Sequence, residues 1–183
     1  MSDSTPSTEN IVLTGFMGSG KSTVGRLLAR QLRFQFIDTD SLIEERVGME
    51  VRDIFAKHGE TYFRERENAV LESLLNKRRH IISTGGGIVT EERNLQSLKK
   101  LGWVVLLKAD PEKIFERISR NKKRPLLATD DPRASVMELL EKRAPLYEAA
   151  AQFTIDSSNL EVDGVVDLLA KEARKVFGWR QPA

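Results

Sequence analysis

GFMGSGKS, residues 15–22, is the stretch on which the fold turns. It fits the pattern G-x-x-x-x-G-K-[ST], and its flanks carry as much information as its letters. Before it stands a short apolar run, IVLT (11–14). After it, STVGRLLARQL (22–32) has the apolar spacing of a helix. A strand that ends in a glycine loop and re-enters as a helix turns its backbone N–H groups toward phosphates. Gly15, Gly18 and Gly20 allow the loop to curl. Lys21 is placed to reach the β- and γ-phosphates, and the Ser22 hydroxyl to coordinate Mg²⁺. The helix N-terminus adds its positive dipole end. A glycine-rich turn that carries a lysine by chance would lack this strand–loop–helix setting.

Working outward, short apolar strands alternate with helical patterns. FQFID (34–38), HIIST (80–84), WVVLLKA (103–109) and FTIDS (153–157) read as further strands. Helices are expected over 41–47, 51–57, 60–76, 91–100, 133–151 and 161–177, and one more begins at Pro111 behind the cap Asp110. Gly48 and Gly59 act as stops. Continuous apolar strands of this kind argue for an α/β fold, a parallel sheet covered on both faces. KKRPLLATDDPR (122–133) breaks the alternation and reads as a mobile loop.

The chain has 183 residues, enough for one domain and little more. A single domain is expected over 10–178, with a disordered polar tail, MSDSTPSTE (1–9), in front and a short tail, 179–183, behind. The net charge of +2 gives no general attraction to nucleic acid or membrane. There is no cysteine, which excludes a disulfide framework and thiolate zinc and suits the cytoplasm. With His58 and His80 as the sole histidines, a histidine-rich metal site is not expected either. No apolar run approaches the ~18 residues of a membrane span.

A GTPase should carry N-K-x-D, but NKKR (121–124) ends in arginine and the NK at 76–77 leads into RR. A small phosphotransferase remains, with ATP on the loop and an acceptor beyond the strand ends. It must hold a metal, orient a hydroxyl and cover the phosphates. FIDTD (36–40) offers two carboxylates. If the chain stays extended, Asp38 and Asp40 point the same way, one serving the metal through water and the other the acceptor hydroxyl. The competing reading has Asp40 capping the next helix and Asp38 a solvated strand end.

In FRERE (63–67), Phe63, Glu67, Val70 and Leu74 share one helix face, so Glu67 falls on an apolar stripe and needs a partner. Arg64, three residues back, can supply it and present its other donors to an anionic substrate. An ordinary surface ion pair is the alternative. In RAPLY (143–147), Pro145 inside a helix should kink it and aim Arg143 into the crevice, unless the helix breaks and restarts there. Arg124, in KKRPLL (122–127), is placed to swing over the phosphates; the plain reading is a solvated basic cluster. Finally, STGGG (83–87) ends a strand without any side chain where chemistry is expected.

Taken together, GFMGSGKST, DTD, FRERE, TGGG, KRPLL and RAPLY, in this order and spacing, resemble the shikimate kinases from Ile11 to Phe177. The resemblance implies a three-layer α/β/α fold with a five-stranded parallel sheet in the order 2-3-1-4-5. It implies ATP- and Mg²⁺-dependent transfer of the γ-phosphoryl group to the 3-hydroxyl of shikimate. It matches Asp40 to the residue that binds the substrate hydroxyls and acts as base, Asp38 to the water-mediated metal holder, and Ser22 to the direct one. Arg64, Arg143 and the glycine triplet, centred on Gly86, match the shikimate site. Lys21 and Arg124 match the groups that neutralise the moving phosphoryl. Gly18, Ser19, Gly20, Lys21, Ser22, Thr23 and Arg124 are the expected ATP contacts. Residues 41–76 correspond to the substrate-binding region and 122–133 to the lid. A monomer is expected. The segment SSNLEV (157–162) leaves the adenine contact unassigned. A gluconate kinase of the same architecture and a catalytically silent nucleotide-binding regulator are the alternatives. The triple glycine and RAPLY speak against the first; the presence of Lys21, Asp40 and Arg124 speaks against the second.

Overall fold

The structure, a computed structural model, describes residues 8–120 and 130–179. Five strands form one parallel sheet in the order β2-β3-β1-β4-β5. They are β1 (Ile11–Thr14), β2 (Gln35–Asp38), β3 (His80–Ser83), β4 (Trp103–Lys108) and β5 (Phe153–Asp156). Seven α-helices are described: α1 (Lys21–Leu32), α2 (Thr39–Val47), α3 (Val51–Leu74), α4 (Glu92–Leu101), α5 (Pro111–Ser119), α6 (Pro132–Ala150) and α7 (Val162–Phe177). A 3₁₀ turn over Ile88–Thr90, not foreseen in the sequence, follows the glycine triplet.

The apolar runs are continuous because both faces of the sheet are buried, and the strand period of two divides them between two cores. Ile11, Leu13, Trp103, Val105 and Leu107 pack with α1 and α7 residues such as Leu28 and Leu169. Val12, Val104 and Leu106 face the other way, against Ile54, Leu71 and Val136 of α3 and α6. Each fully buried leucine contributes about 2 kcal/mol. The register aligns the strand ends that matter: Asp38 lies beside Ser83, and Ser83 beside Leu13. One row of the sheet thus feeds the phosphate loop, the glycine triplet and the DTD segment.

Three expectations are corrected. Residues 38–40 do not stay extended: α2 begins at Thr39, and it is Asp38 that caps it, accepting from the N–H groups of Asp40 and Ser41. α6 runs through Pro145 without a break. Pro145 and Glu141, whose carbonyl loses its donor, are both exposed, so water can replace the missing bond. Third, Thr8, Glu9 and Trp179, expected outside the domain, are held against it. Thr8 is buried and donates to the Leu101 carbonyl, while Trp179 packs on Phe34 and Phe177 and donates to Glu9. The break expected at Gly59 is present as a kink between two helical stretches of α3, with φ 80° and ψ 175°.

Candidate active site

The loop after β1 is shaped by backbone strain that only glycine relieves. Gly20, the N-cap of α1, has φ 97°. At Gly15, φ is 140° and a Cβ would stand 2.5 Å from the Leu107 carbonyl oxygen. Lys21 folds back over the loop, donating to the carbonyls of Gly15 and Phe16 at 2.8 and 2.9 Å. Ser22 Oγ donates to Asp38 Oδ2 at 2.7 Å. The two oxygens expected to serve a metal are therefore already side by side, which the Asp38 cap makes possible.

A cavity of about 460 Å³ opens along this loop. Residues 17–24 form one wall, with Asp38 and Asp40 at one end and Arg117, Ser157, Leu160 and Val162 around the rest. Leu160 and Val162 are 44% and 40% exposed, unusual for apolar side chains of this size. Arg117 is anchored to the loop by a bond from Nη1 to the Gly18 carbonyl at 3.2 Å. Apolar groups beside a guanidinium make a surface for a flat heterocycle. This wall, which the sequence left unassigned, comes from α5, the connection between β5 and α7, and the start of α7.

The acceptor end is built around the glycine triplet. None of residues 85–87 has a φ in the left-handed region, so backbone conformation does not call for glycine there. Space is the reason. A Cβ on Gly85 would lie 2.4 Å from Asp40 Oδ1 and 2.9 Å from Glu67 Oε1. One on Gly87 would lie 2.4 Å from both terminal nitrogens of Arg64. One on Gly86 would come within 3.1 Å of the Met17 backbone nitrogen in the phosphate loop. Three consecutive glycines thus let Asp40, Arg64 and the phosphate loop converge on one strand end.

Arg64 is buried and held from two sides, by Glu67 at 2.5 Å and by the exposed Glu60 at 2.8 Å. From α6, Arg143 donates to the Gly86 carbonyl at 3.3 Å, and the Tyr147 hydroxyl donates to the same oxygen. Tyr147 and Glu60 were missed as site members. For Tyr147 the signal was available: it lies four residues after Arg143, on the same helix face. Burial, reinforced by the Asp38 charge and opposed by Lys21, raises the Asp40 pKa to about 6. Burial also raises Glu67, against the pull of Arg64, to about 7, and Tyr147 to about 12. The structure therefore brings together Lys21, Ser22, Asp38, Asp40, Arg64, Gly86 and Arg143. Arg124, with residues 121–129, lies outside the described residues.

Among known families, the shikimate kinase model matches residues 17–174. The chain belongs to the shikimate kinase family. A shikimate kinase of Caldanaerobacter subterraneus is 48% identical over 170 residues, 93% of this chain and 99% of the relative. One from Thermodesulfovibrio yellowstonii is 44% identical over 168 residues, 92% of this chain and 96% of the relative. Among solved structures, the shikimate kinase of Acinetobacter baumannii in complex with shikimate superposes with a TM-score of 0.85 at 37% identity, covering 100% of both chains. Family membership makes the protein an ATP-dependent phosphotransferase, a shikimate kinase, and the sheet order expected from the resemblance is the one observed. No described helix is long and apolar enough to cross a membrane.

Proposed function

We propose that the enzyme transfers the γ-phosphoryl group of ATP to the 3-hydroxyl of shikimate, giving shikimate 3-phosphate and ADP on the route to the aromatic amino acids. The observation that carries this reading is the meeting of Arg64 and Arg143 with Asp40 on three consecutive glycines, one of which abuts the phosphate loop. Two guanidinium groups from different helices suit one planar carboxylate. A hydroxyl on the same small ring then reaches Asp40, next to the transferred phosphoryl.

Each residue has a task in this reading. Arg64 and Arg143 hold the shikimate carboxylate, and Gly86 lines the pocket floor. Asp40 accepts the hydroxyl proton; a carboxylate with a pKa of about 6 is still ionised at neutral pH but more basic than a solvated aspartate. Residues 18–23 wrap the phosphates, and Lys21 exchanges its loop carbonyls for phosphate oxygens. The adenine lies against Arg117 and Leu160. Mg²⁺ fits the oxygen pair of Ser22 and Asp38, since it asks for one or two protein oxygens beside phosphates and water. When bound, it supplies charge neutralisation at the phosphates. Arg124 clamps the transition state from the lid 122–133, with 41–76 as the substrate-binding region of a single domain. We place this enzyme in the cytoplasm as a monomer.

The deciding assay follows ADP release from ATP and Mg²⁺ on addition of shikimate or gluconate. Release with shikimate alone is expected. Release with gluconate and none with shikimate would overturn the reading, and a metal chelator should abolish turnover.

A further inference from the structure

Glu67 has no solvent exposure, and its two oxygens have different fates. Oε2 takes a hydrogen bond from Arg64. Oε1 is buried without any partner among the described residues. Asp40 Oδ1 is also buried and unpartnered. The two orphaned oxygens border the same point: a Cβ on Gly85 would lie 2.4 Å from Asp40 Oδ1 and 2.9 Å from Glu67 Oε1, so the two oxygens are neighbours across that glycine. Two ionised carboxylates in that arrangement would leave two buried acceptors in mutual repulsion. One proton on Glu67 Oε1 removes that repulsion and turns one of the two acceptors into a donor.

We propose that Glu67 carries a proton in the unliganded enzyme and that this proton tunes Arg64 for the substrate's carboxylate. The inference rests on the shikimate reading above. With Glu67 neutral, the ionised carboxylate that still pairs with Arg64 among the described residues is Glu60, which is 63% exposed and reaches in from the surface. The guanidinium then has surplus charge to offer an anion. With Glu67 ionised, Arg64 is already neutralised by a buried neighbour and the incoming carboxylate must compete with it. Glu67 is therefore a positioning residue that acts through Arg64 and keeps its affinity for anions high.

The charged groups around the pair support this assignment. Lys21, Asp38, Glu44 and Arg64 act on Asp40, from α1, β2, α2 and α3. Arg64, Asp40 and Arg143 act on Glu67, from α3, α2 and α6. Burial outweighs both arginines and raises Glu67 to about 7. Once the substrate carboxylate engages Arg64, less of its positive charge remains for Glu67, and the Glu67 pKa rises further. The sign follows: above about pH 7, binding shikimate takes up a proton, and affinity falls as the pH rises.

The test is calorimetric titration of shikimate into the intact enzyme without nucleotide, at about pH 7 and about pH 8.5, in two buffers of different ionisation enthalpy. The wild type should take up a substantial fraction of one proton at the higher pH, with a Kd several-fold weaker than at the lower. Glu67→Gln is neutral at every pH and keeps an oxygen for Arg64. It should take up no proton, and its Kd should not change with pH. Retained ATP binding checks that the variant is folded. Wild-type binding without proton uptake, or the same uptake in Glu67→Gln, overturns the proposal. If shikimate does not bind at all, the functional reading falls and this inference with it. A purely structural Glu67 would change the Kd but not the proton count.

Discussion

The two ends of this active site are built on different principles. The phosphate loop is one contiguous segment, and its working groups are largely backbone, held by positive-φ glycines at 15, 18 and 20. The acceptor end is made of side chains from α2, α3 and α6, which meet over a turn that contributes no side chain of its own. On the function proposed above, the donor nucleotide is gripped by conformation and the acceptor by convergence. A segment that binds by its own shape can be changed only where the backbone is strained. A site that binds by convergence can be upset by one methyl group at the meeting point.

Variants can break or sharpen this contrast. The largest effect is expected from Asp40→Asn, which keeps the shape but removes the base: kcat should fall roughly 10²–10⁴-fold while ATP binding is kept. In the wild type, Asp40 must be ionised, so kcat should fall as the pH drops through about 6. A steady-state pH profile checks both statements, and an acid limb near that of an ordinary solvated carboxylate would count against Asp40. Next come the glycines. Gly85→Ala pushes a Cβ into Asp40 and Glu67, so shikimate use should drop about tenfold or more with nucleotide affinity nearly intact. Gly20→Ala has open space but a strained φ, and should do the reverse. Gly86→Ala would meet the Met17 nitrogen and should harm both ends; an effect confined to one end would show that the two are less closely joined than their contact implies.

Arg143→Ala should raise the KM for shikimate about ten- to a hundredfold and leave that for ATP within about twofold. Equal losses would move this arginine to the nucleotide side. The effect furthest from turnover concerns stability. Glu67 is more easily protonated in the folded chain than in the unfolded one, where its pKa is 4.5. Its contribution is complete below that value and is lost as the pH rises through about 7, an effect of ~2–3 kcal/mol. Urea unfolding of Glu67→Gln should lack this pH-dependent loss, and identical slopes for variant and wild type would refute it.

The same contrast explains what could be read in the chain. The loop was legible because strand, glycines, lysine and helix are contiguous, and the sheet because its strands are buried on both faces. Arg64 and Glu67 were legible as a pair because helix spacing brings them together. What could not be read was where helix α2 begins. That single residue decides that Asp38 caps the helix and meets Ser22 while Asp40 turns inward to Gly85. Either aspartate can cap a helix, so only the packing of Thr39, itself fully buried, distinguishes them. The reason for the glycines was also hidden, since their would-be neighbours lie about 20 to 70 residues earlier in the chain. The wall at Arg117 and Leu160 joins segments about 40 residues apart and has no pattern of its own.

Trp179, stacked on Phe177 and tied to Glu9, has a consequence for engineering. Glu9 and Phe34 lie just before β1 and β2, so this clasp sits at the amino ends of the strands, whereas substrate and nucleotide meet at the carboxyl ends. The two ends of the described chain are thus neighbours on the side away from the chemistry. A short linker joining them, with new termini cut elsewhere on the surface, should give a circularly permuted kinase with its active site undisturbed.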